Sequence, residues 1–186
     1  MAEVSTMQPD SHHHGADAHE HRVRCVRLPL DSWPVYGETI LQMERELFPE
    51  PLAQTEAELQ DTLSDPRALF IGALEGERLA GFIAGETIKY YVEPGDPEYD
   101  EVLAREETLY IETLDVEKTR QGRGVGTALL KALLDEAAKR GYRHVVGHWR
   151  EGASMRLAEK YGGKVLMVEP RYNGTSETYS YVVIDV

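Results

Sequence analysis

Gln121-Gly122-Arg123-Gly124-Val125-Gly126 lies between an apolar run that ends at Val116 and an amphipathic stretch from about Thr127 to Arg140. A glycine-rich turn placed where a strand hands over to a helix leaves backbone N–H groups directed outward at the positive end of the helix dipole. Such a turn is suited to phosphate. Two familiar phosphate loops are excluded by spacing. A P-loop needs a Lys and a Ser or Thr directly after its last glycine, and no Lys stands there. A dinucleotide fingerprint needs Gly or Ala at its sixth position, where this chain has Thr127 or Leu129, depending on the starting glycine. The linker Glu117-Lys118-Thr119-Arg120 is also too long for a tight dinucleotide turn. The plainer alternative is a surface turn with helix-capping glycines.

Working outward, Arg22 to Leu30 reads as a first strand, and Trp33-Pro34 opens a helix with Tyr36, Ile40, Met43 and Leu47 at helical spacing. Pro49 and Pro51 end it. Thr55 and Glu58 have the form of a capping box, and Leu59 with Leu63 carry the apolar face of a second helix that stops before Pro66. Ala68 to Leu74 and Leu79 to Tyr91 read as a hairpin about Glu75-Gly76-Glu77-Arg78. Val92 to Glu107 is a loop with seven carboxylates (Glu93, Asp96, Glu98, Asp100, Glu101, Glu106 and Glu107) against a single Arg105. Thr108 to Val116 is the strand before the glycine turn. Val125, Ala128, Leu129, Ala132 and Leu133 mark one face of the helix after it, which Gly141 caps. His144 to Trp149 is a strand, Ala153 to Tyr161 a short helix closed by Gly162-Gly163, and Lys164 to Val168 and Thr178 to Val186 are strands joined at Asn173-Gly174. The order βααβββαβαββ predicts an α/β fold with a mixed sheet, antiparallel at the start and parallel in the middle.

With 186 residues, 41% hydrophobic and 28% charged, residues 22–186 suffice for one domain. Residues 1–21 are polar and aperiodic, a disordered arm. Its histidines His12, His13, His14, His19 and His21 lack a scaffold that would fix metal geometry, so no metal is expected. The net charge of −13 disfavours nucleic acid, which needs clustered Lys and Arg, and suits a cationic partner; it also serves simple solubility. The single Cys25 excludes an internal disulfide and fits a reducing cytoplasm. No apolar stretch reaches the ~18 residues of a membrane span, and the N-terminus lacks signal-peptide order.

Gln121-x-x-Gly124-x-Gly126 matches the Gln/Arg-x-x-Gly-x-Gly/Ala signature of the Gcn5-related N-acetyltransferases (GNAT). Leu114-Asp115-Val116-Glu117, Arg120 to Gly126 and Ala128-Leu129-Leu130 resemble that family's fourth strand, pyrophosphate loop and third helix, and the element order over 22–186 is similar. The resemblance implies a mostly antiparallel sheet with about four helices, whose fourth and fifth strands splay so that the pantetheine of acetyl-CoA inserts between them. It implies a cofactor site made of Gln121, Gly122, Arg123, Gly124, Val125, Gly126 and Thr127 for the pyrophosphate, and of the backbone of Leu114 and Val116 for pantetheine. A homodimer is compatible with it.

Acetyl transfer from a thioester to an amine needs a neutral amine, a donor for the developing oxyanion and a proton for the thiolate. By resemblance Glu112 is the base, in an apolar strand setting expected to raise its pKa; a partly buried carboxylate paired with a basic neighbour is the alternative. Tyr110, on the same face by alternation, lines the acceptor pocket or the core. The family's acid, a Tyr on the helix after strand five, falls on Ala158, and Glu151 stands where an Asn is common. Tyr161, about 300° further round that helix, and His148 are substitutes; Tyr161 serves packing equally well. The expected activity is amine acetylation in a ternary complex, with a cationic small molecule or protein amine attracted by the Val92–Glu107 loop. The missing Tyr keeps open a non-catalytic acyl-CoA sensor.

Overall fold

The computed structural model describes residues 23–88, 94–97, 100–104 and 107–186. The His-rich arm, residues 89–91 of the third expected strand, and Glu93, Glu98, Arg105 and Glu106 of the acidic loop lie outside them. The elements are β1 (Arg24–Arg27), α1 (Trp33–Leu47), α2 (Glu56–Ser64), β2 (Leu69–Glu75), β3 (Arg78–Thr87), β4 (Thr108–Val116), α3 (Val125–Lys139), β5 (His144–Arg150), α4 (Ala153–Lys160), β6 (Lys164–Glu169) and β7 (Tyr179–Asp185). They occur in the order that the sequence patterning predicts. The strands form one sheet, β1-β2-β3-β4-β5-β7-β6, antiparallel throughout except for the parallel pair β4–β5.

Helices cover both faces of the sheet. Val125, Leu129, Leu130, Leu133 and Ala137 of α3 are buried with Leu69, Ile71, Ile83, Leu109 and Ile111. At about 1.5–3 kcal/mol for each large side chain buried, this stripe holds the helix behind the glycine turn against β4. Ile40 and Met43 of α1 and Leu59 of α2 pack on the other face against Phe70 and Phe82. The expected capping box starts α2: Thr55 Oγ1 accepts from the Glu58 N–H at 3.3 Å, and the Glu58 carboxylate accepts from the Thr55 N–H at 2.7 Å.

Two departures from simple alternation matter for function. In β4, Ala84 of β3 faces Thr113 and Gly85 faces Ile111, so Glu112 is an inserted bulge residue. Before the bulge Leu109 and Ile111 point to the α3 core; after it Leu114 and Val116 do. A Cβ on Gly85 would lie 2.8 Å from the Tyr110 carbonyl, so the backbone at the bulge approaches too closely for any other residue. The second departure is the β6–β7 connection. Asn173-Gly174 is not a two-residue hairpin turn: β6 ends at Glu169, pairing with Tyr179, and residues 170–178 form a longer loop. Arg171 and Asn173 both take positive φ in it (58° and 47°), and a 3-10 turn carries Tyr172 back over the sheet.

Candidate active site

The parallel pairing of β4 with β5 runs from Thr108–His144 to Ile111–Gly147 and stops there. Both strands continue, β4 along β3 to Val116 and β5 along β7 to Arg150. The bulge bends β4 away at the point where the partners separate, because an inserted residue sharpens local twist. The V between the strands opens into a cleft of about 410 Å³, within the range of small-molecule sites. Its walls are Tyr110 to Leu114 of β4, His148 to Arg150 of β5, Phe48, Pro51, Leu52 and Gln54 between α1 and α2, Glu58 on α2, Ser154 on α4, and Tyr172, Asn173 and Tyr179.

Glu112 stands on this wall. Gln54 Nε2 donates to its Oε2 at 2.7 Å and the Thr62 hydroxyl at 3.1 Å, so the carboxylate is held by the α1–α2 connection and α2. The backbone N–H of the same Gln54 donates to Glu44 Oε2 at 3.1 Å. Glu44 is fully buried. Burial pushes its carboxyl up to about 7, with smaller like-charge contributions from Glu112 and Glu58. Asp115, also fully buried, is pushed well up by burial and by Glu44, while Thr113 Oγ1 donates to it at 3.1 Å. Glu44 Oε1 and Asp115 Oδ2 have no hydrogen-bond partner among the described residues. Two buried acids that disfavour each other's charge hold a proton near neutrality.

Glu44 makes stability depend on pH in a fixed sense. Its folded pKa lies above the ordinary 4.5, so between those values the folded state binds more protons than the unfolded chain. The stability it contributes is whole below about 4.5 and is lost as pH rises towards about 7. Glu44→Gln, which keeps the acceptor for Gln54, is therefore expected to stabilise the protein at about pH 8 by on the order of 3 kcal/mol and to change little at about pH 4. Urea denaturation of both proteins at the two pH values measures it, and an equal difference at both contradicts the assignment.

His148 is the first residue of β5 beyond its pairing with β4. Its Nδ1 lies 2.9 Å from the Tyr110 hydroxyl, and its Nε2 2.9 Å from Glu169 Oε1 of β6. The ring stacks on Tyr172 at 4.6 Å and tilts against Tyr181 at 4.9 Å. Burial pushes the Tyr110 phenol well above its usual range, and Tyr172, hydrogen-bonded to it, adds to the shift.

The glycine turn opens α3 as the spacing predicts. Gly124 is the N-cap residue with φ 85° and offers no side chain to the first N–H groups, so those of Val125, Gly126 and Thr127 lack an intrahelical acceptor. Gly122 also takes positive φ, 73°. Gln121 Nε2 donates to the Val116 carbonyl at 3.1 Å, closing the turn on the end of β4. The linker is braced by Arg120–Glu75 at 3.0 Å and Arg78–Glu117 at 2.6 Å. Arg123 is exposed beside the turn. A Cβ on Gly126 would meet Leu157, Leu114 and Val116 at 3.5–3.6 Å, so the turn borders the splay. These residues fit a pyrophosphate: N–H groups without an intrahelical acceptor, small residues and the exposed Arg123 side chain.

Other sequence expectations divide. Tyr161 does not line the cleft; its hydroxyl donates to the Thr127 carbonyl at 3.1 Å, tying α4 to α3. Ala158 is fully buried. Cys25 lies on β1 at the sheet edge, three strands from β4, and burial pushes its thiol up, the wrong direction for a nucleophile. None of the described residues of the acidic loop lines the cleft, and Leu103 of that loop packs with Val146 and Tyr181. The carboxylates there are Glu112 and Glu58; the sequence marks Glu58 as a capping-box residue alone, and no motif marks Gln54, Thr62, Tyr172 or Glu169.

The architecture is that of an acyl-CoA-dependent transferase: splayed parallel strands, a helix-capping glycine turn at the strand's end and a carboxylate on the bulge. Residues 37–162 match the model of the acetyltransferase (GNAT) family, and the chain belongs to that family. Acetyl-CoA is the acyl donor of this family. Similar solved structures include the ribosomal-protein-S18-alanine N-acetyltransferase of Escherichia coli (19% identity, TM-score 0.66, covering 88% of this chain and 94% of that one). NAA60 of Arabidopsis thaliana in complex with acetyl-CoA is 19% identical with TM-score 0.68, covering 88% and 98%. An aminoglycoside 6'-N-acetyltransferase complexed with coenzyme A is 18% identical with TM-score 0.66, covering 87% and 96%. None of the curated proteins compared with the chain matches it. Among the described residues no helix is long and apolar enough to cross a membrane.

Proposed function

We propose that residues 22–186 form an acetyl-CoA-dependent N-acetyltransferase that acetylates a cationic primary amine by direct attack in a ternary complex. The observation that carries this is Glu112, set by a bulge into the cleft where β4 and β5 part, between the glycine turn and the aromatic wall. The N–H groups of Gly122 to Thr127 take the pyrophosphate, with Arg123 adding charge, and the unpaired edge at Leu114 and Val116 takes pantetheine. Acetyl-CoA supplies the activated acyl group. Glu112 removes the ammonium proton, so that the amine lone pair is available.

The acceptor class follows from the cleft lining. Glu58 and Glu112 supply negative charge, and Glu58 is held below the usual carboxylate range by hydrogen bonds from Thr55. Gln54 Oε1 is buried without a hydrogen-bond partner among the described residues, an acceptor suited to an N–H donor. Tyr110, Tyr172 and Tyr179 line the cleft, and aromatic rings attract an alkylammonium group. Small-molecule amines and protein amines both answer this description, as the aminoglycoside and ribosomal-protein enzymes of similar fold illustrate.

The test is calorimetric titration with acetyl-CoA, then thiol release with a panel of polyamines, aminoglycosides and peptides bearing a free N-terminus or Lys. Micromolar binding and turnover with a cationic amine are expected. Binding without thiol release for every amine would make the chain an acyl-CoA sensor, the reading that buried Ala158 and the engaged Tyr161 hydroxyl favour.

A further inference from the structure

His148 has both ring nitrogens occupied, by Tyr110 and by Glu169. It therefore cannot itself reach a reacting atom, and any proton it gives must pass through a neighbour. An ionised carboxylate only accepts hydrogen bonds, so Nε2 carries a hydrogen directed at Glu169, and Nδ1 is the nitrogen that exchanges a proton with the Tyr110 hydroxyl. Tyr110 is on the cleft wall and shares a strand face with Glu112 two residues on, about 7 Å along the strand. That span accommodates an amine nitrogen, the attacked carbon and the sulfur between a base and an acid.

We propose that Glu169, His148 and Tyr110 form a proton relay that protonates the departing thiolate, with Tyr110 touching the sulfur and Glu169 positioning the imidazole. The proposal rests on the acetyltransferase reading above and supplies the acid absent at Ala158. In the step, the N–C bond has formed and the C–S bond breaks, its electron pair going to sulfur. The sulfur takes the hydroxyl proton of Tyr110, and the Tyr110 oxygen takes the Nδ1 proton of the His148 imidazolium. The carbonyl re-forms from the oxyanion as the C–S bond breaks, and the nitrogen, left positively charged by N–C bond formation, sheds its second proton to solvent to give the neutral amide. His148 is left neutral with its Nε2 hydrogen on Glu169 and regains a proton from solvent, and the first ammonium proton, taken by Glu112, also returns to solvent, so that one proton is released per turnover. Because burial keeps the Tyr110 phenol protonated, it conducts by giving one proton as it receives another and does not stand as phenolate.

The groups facing the imidazole are Tyr110 from β4, Glu169 from β6, Tyr172 from the β6–β7 loop and Tyr181 from β7. Arg150, two residues along β5, is paired with Glu177 at 3.2 Å. Of these contacts to the ring, Glu169 is the one that carries charge at neutral pH, so the imidazolium depends on it. The Tyr172 ring covers one face of the imidazole and its hydroxyl meets Tyr110.

The experiment combines pH–rate profiles of thiol release with an NMR titration of the His148 imidazole in the ligand-free protein. For the unmodified chain, kcat should fall as pH rises through the imidazole titration, since the acid form is consumed. Tyr110→Phe should lower kcat about 100-fold, leave KM for acetyl-CoA unchanged and abolish that falling limb. Glu169→Gln should move the kinetic limb and the NMR midpoint down together by on the order of one pH unit, because the imidazolium loses its carboxylate. A midpoint that moves while the kinetic limb stays, or a Tyr110→Phe loss that is uniform with pH and accompanied by lost acetyl-CoA affinity, overturns the relay alone. No thiol release from the unmodified protein with any amine overturns the acetyltransferase reading and the relay with it.

Discussion

Gly126→Asp is expected to weaken acetyl-CoA binding by at least about 100-fold while leaving the melting temperature nearly unchanged. Gly126 is in the first turn of α3, and its side of the helix faces Leu114, Val116 and Leu157. A carboxylate placed there stands beside the N–H groups that the pyrophosphate must use, and it presents like charge to it. Losing two charge-assisted hydrogen bonds, each worth about 1.5–3 kcal/mol, accounts for two decades or more in affinity. Folding does not suffer, since an acidic residue in the first turn of a helix is favourable to it by about 0.3–1 kcal/mol. The steric part is separable from the charge: a methyl at Gly126 meets its neighbours at ordinary contact distance, so Gly126→Ala should fold and bind with a much smaller loss. Calorimetry on the three proteins decides, and wild-type affinity in Gly126→Asp would remove the turn from the donor site.

The order of elements was legible because each declares its own period: apolar residues at helical spacing for α1 and α3, alternation for the strands, and a capping box at Thr55. The bulge was legible in principle as well, since the apolar positions of β4 shift from Leu109 and Ile111 to Leu114 and Val116 with Glu112 and Thr113 between them. What surrounds Glu112 was not. Gln54, Thr62 and Glu44 come from separate helices and a loop, and they meet β4 through packing that no local spacing encodes. The Tyr161 assignment relied on helical phase counted from Ala158, yet Tyr161 is the C-cap residue, with φ −99° and ψ 20°, where that phase no longer applies. Tyr172 and Glu169 were hidden for a related reason: the residues between the last two expected strands carry no period, and nothing in their spacing says that the chain brings the Tyr172 ring back over His148.

Glu112→Gln is expected to lower kcat by about 100- to 10,000-fold below neutral pH and to leave acetyl-CoA affinity intact. The donor contacts assigned to β4 are backbone groups of Leu114 and Val116, which this substitution does not touch. The amide keeps an oxygen to accept from Gln54 Nε2, now 2.7 Å from the carboxylate, so the wall of the cleft is preserved. What disappears is the proton acceptor. An alkylammonium substrate with pKa near that of Lys is neutral in only about one part in 2,500 at pH 7, and without the carboxylate the reaction waits on that fraction. The deficit should therefore shrink about tenfold for each unit rise in pH until the amine deprotonates unaided, giving a slope in the logarithm of rate close to one. A mutant that runs parallel to wild type over the whole range would instead mark Glu112 as a binding charge, since lost attraction for the ammonium raises KM without altering the slope. The two roles are thus separated by the shape of the profile as well as by its height.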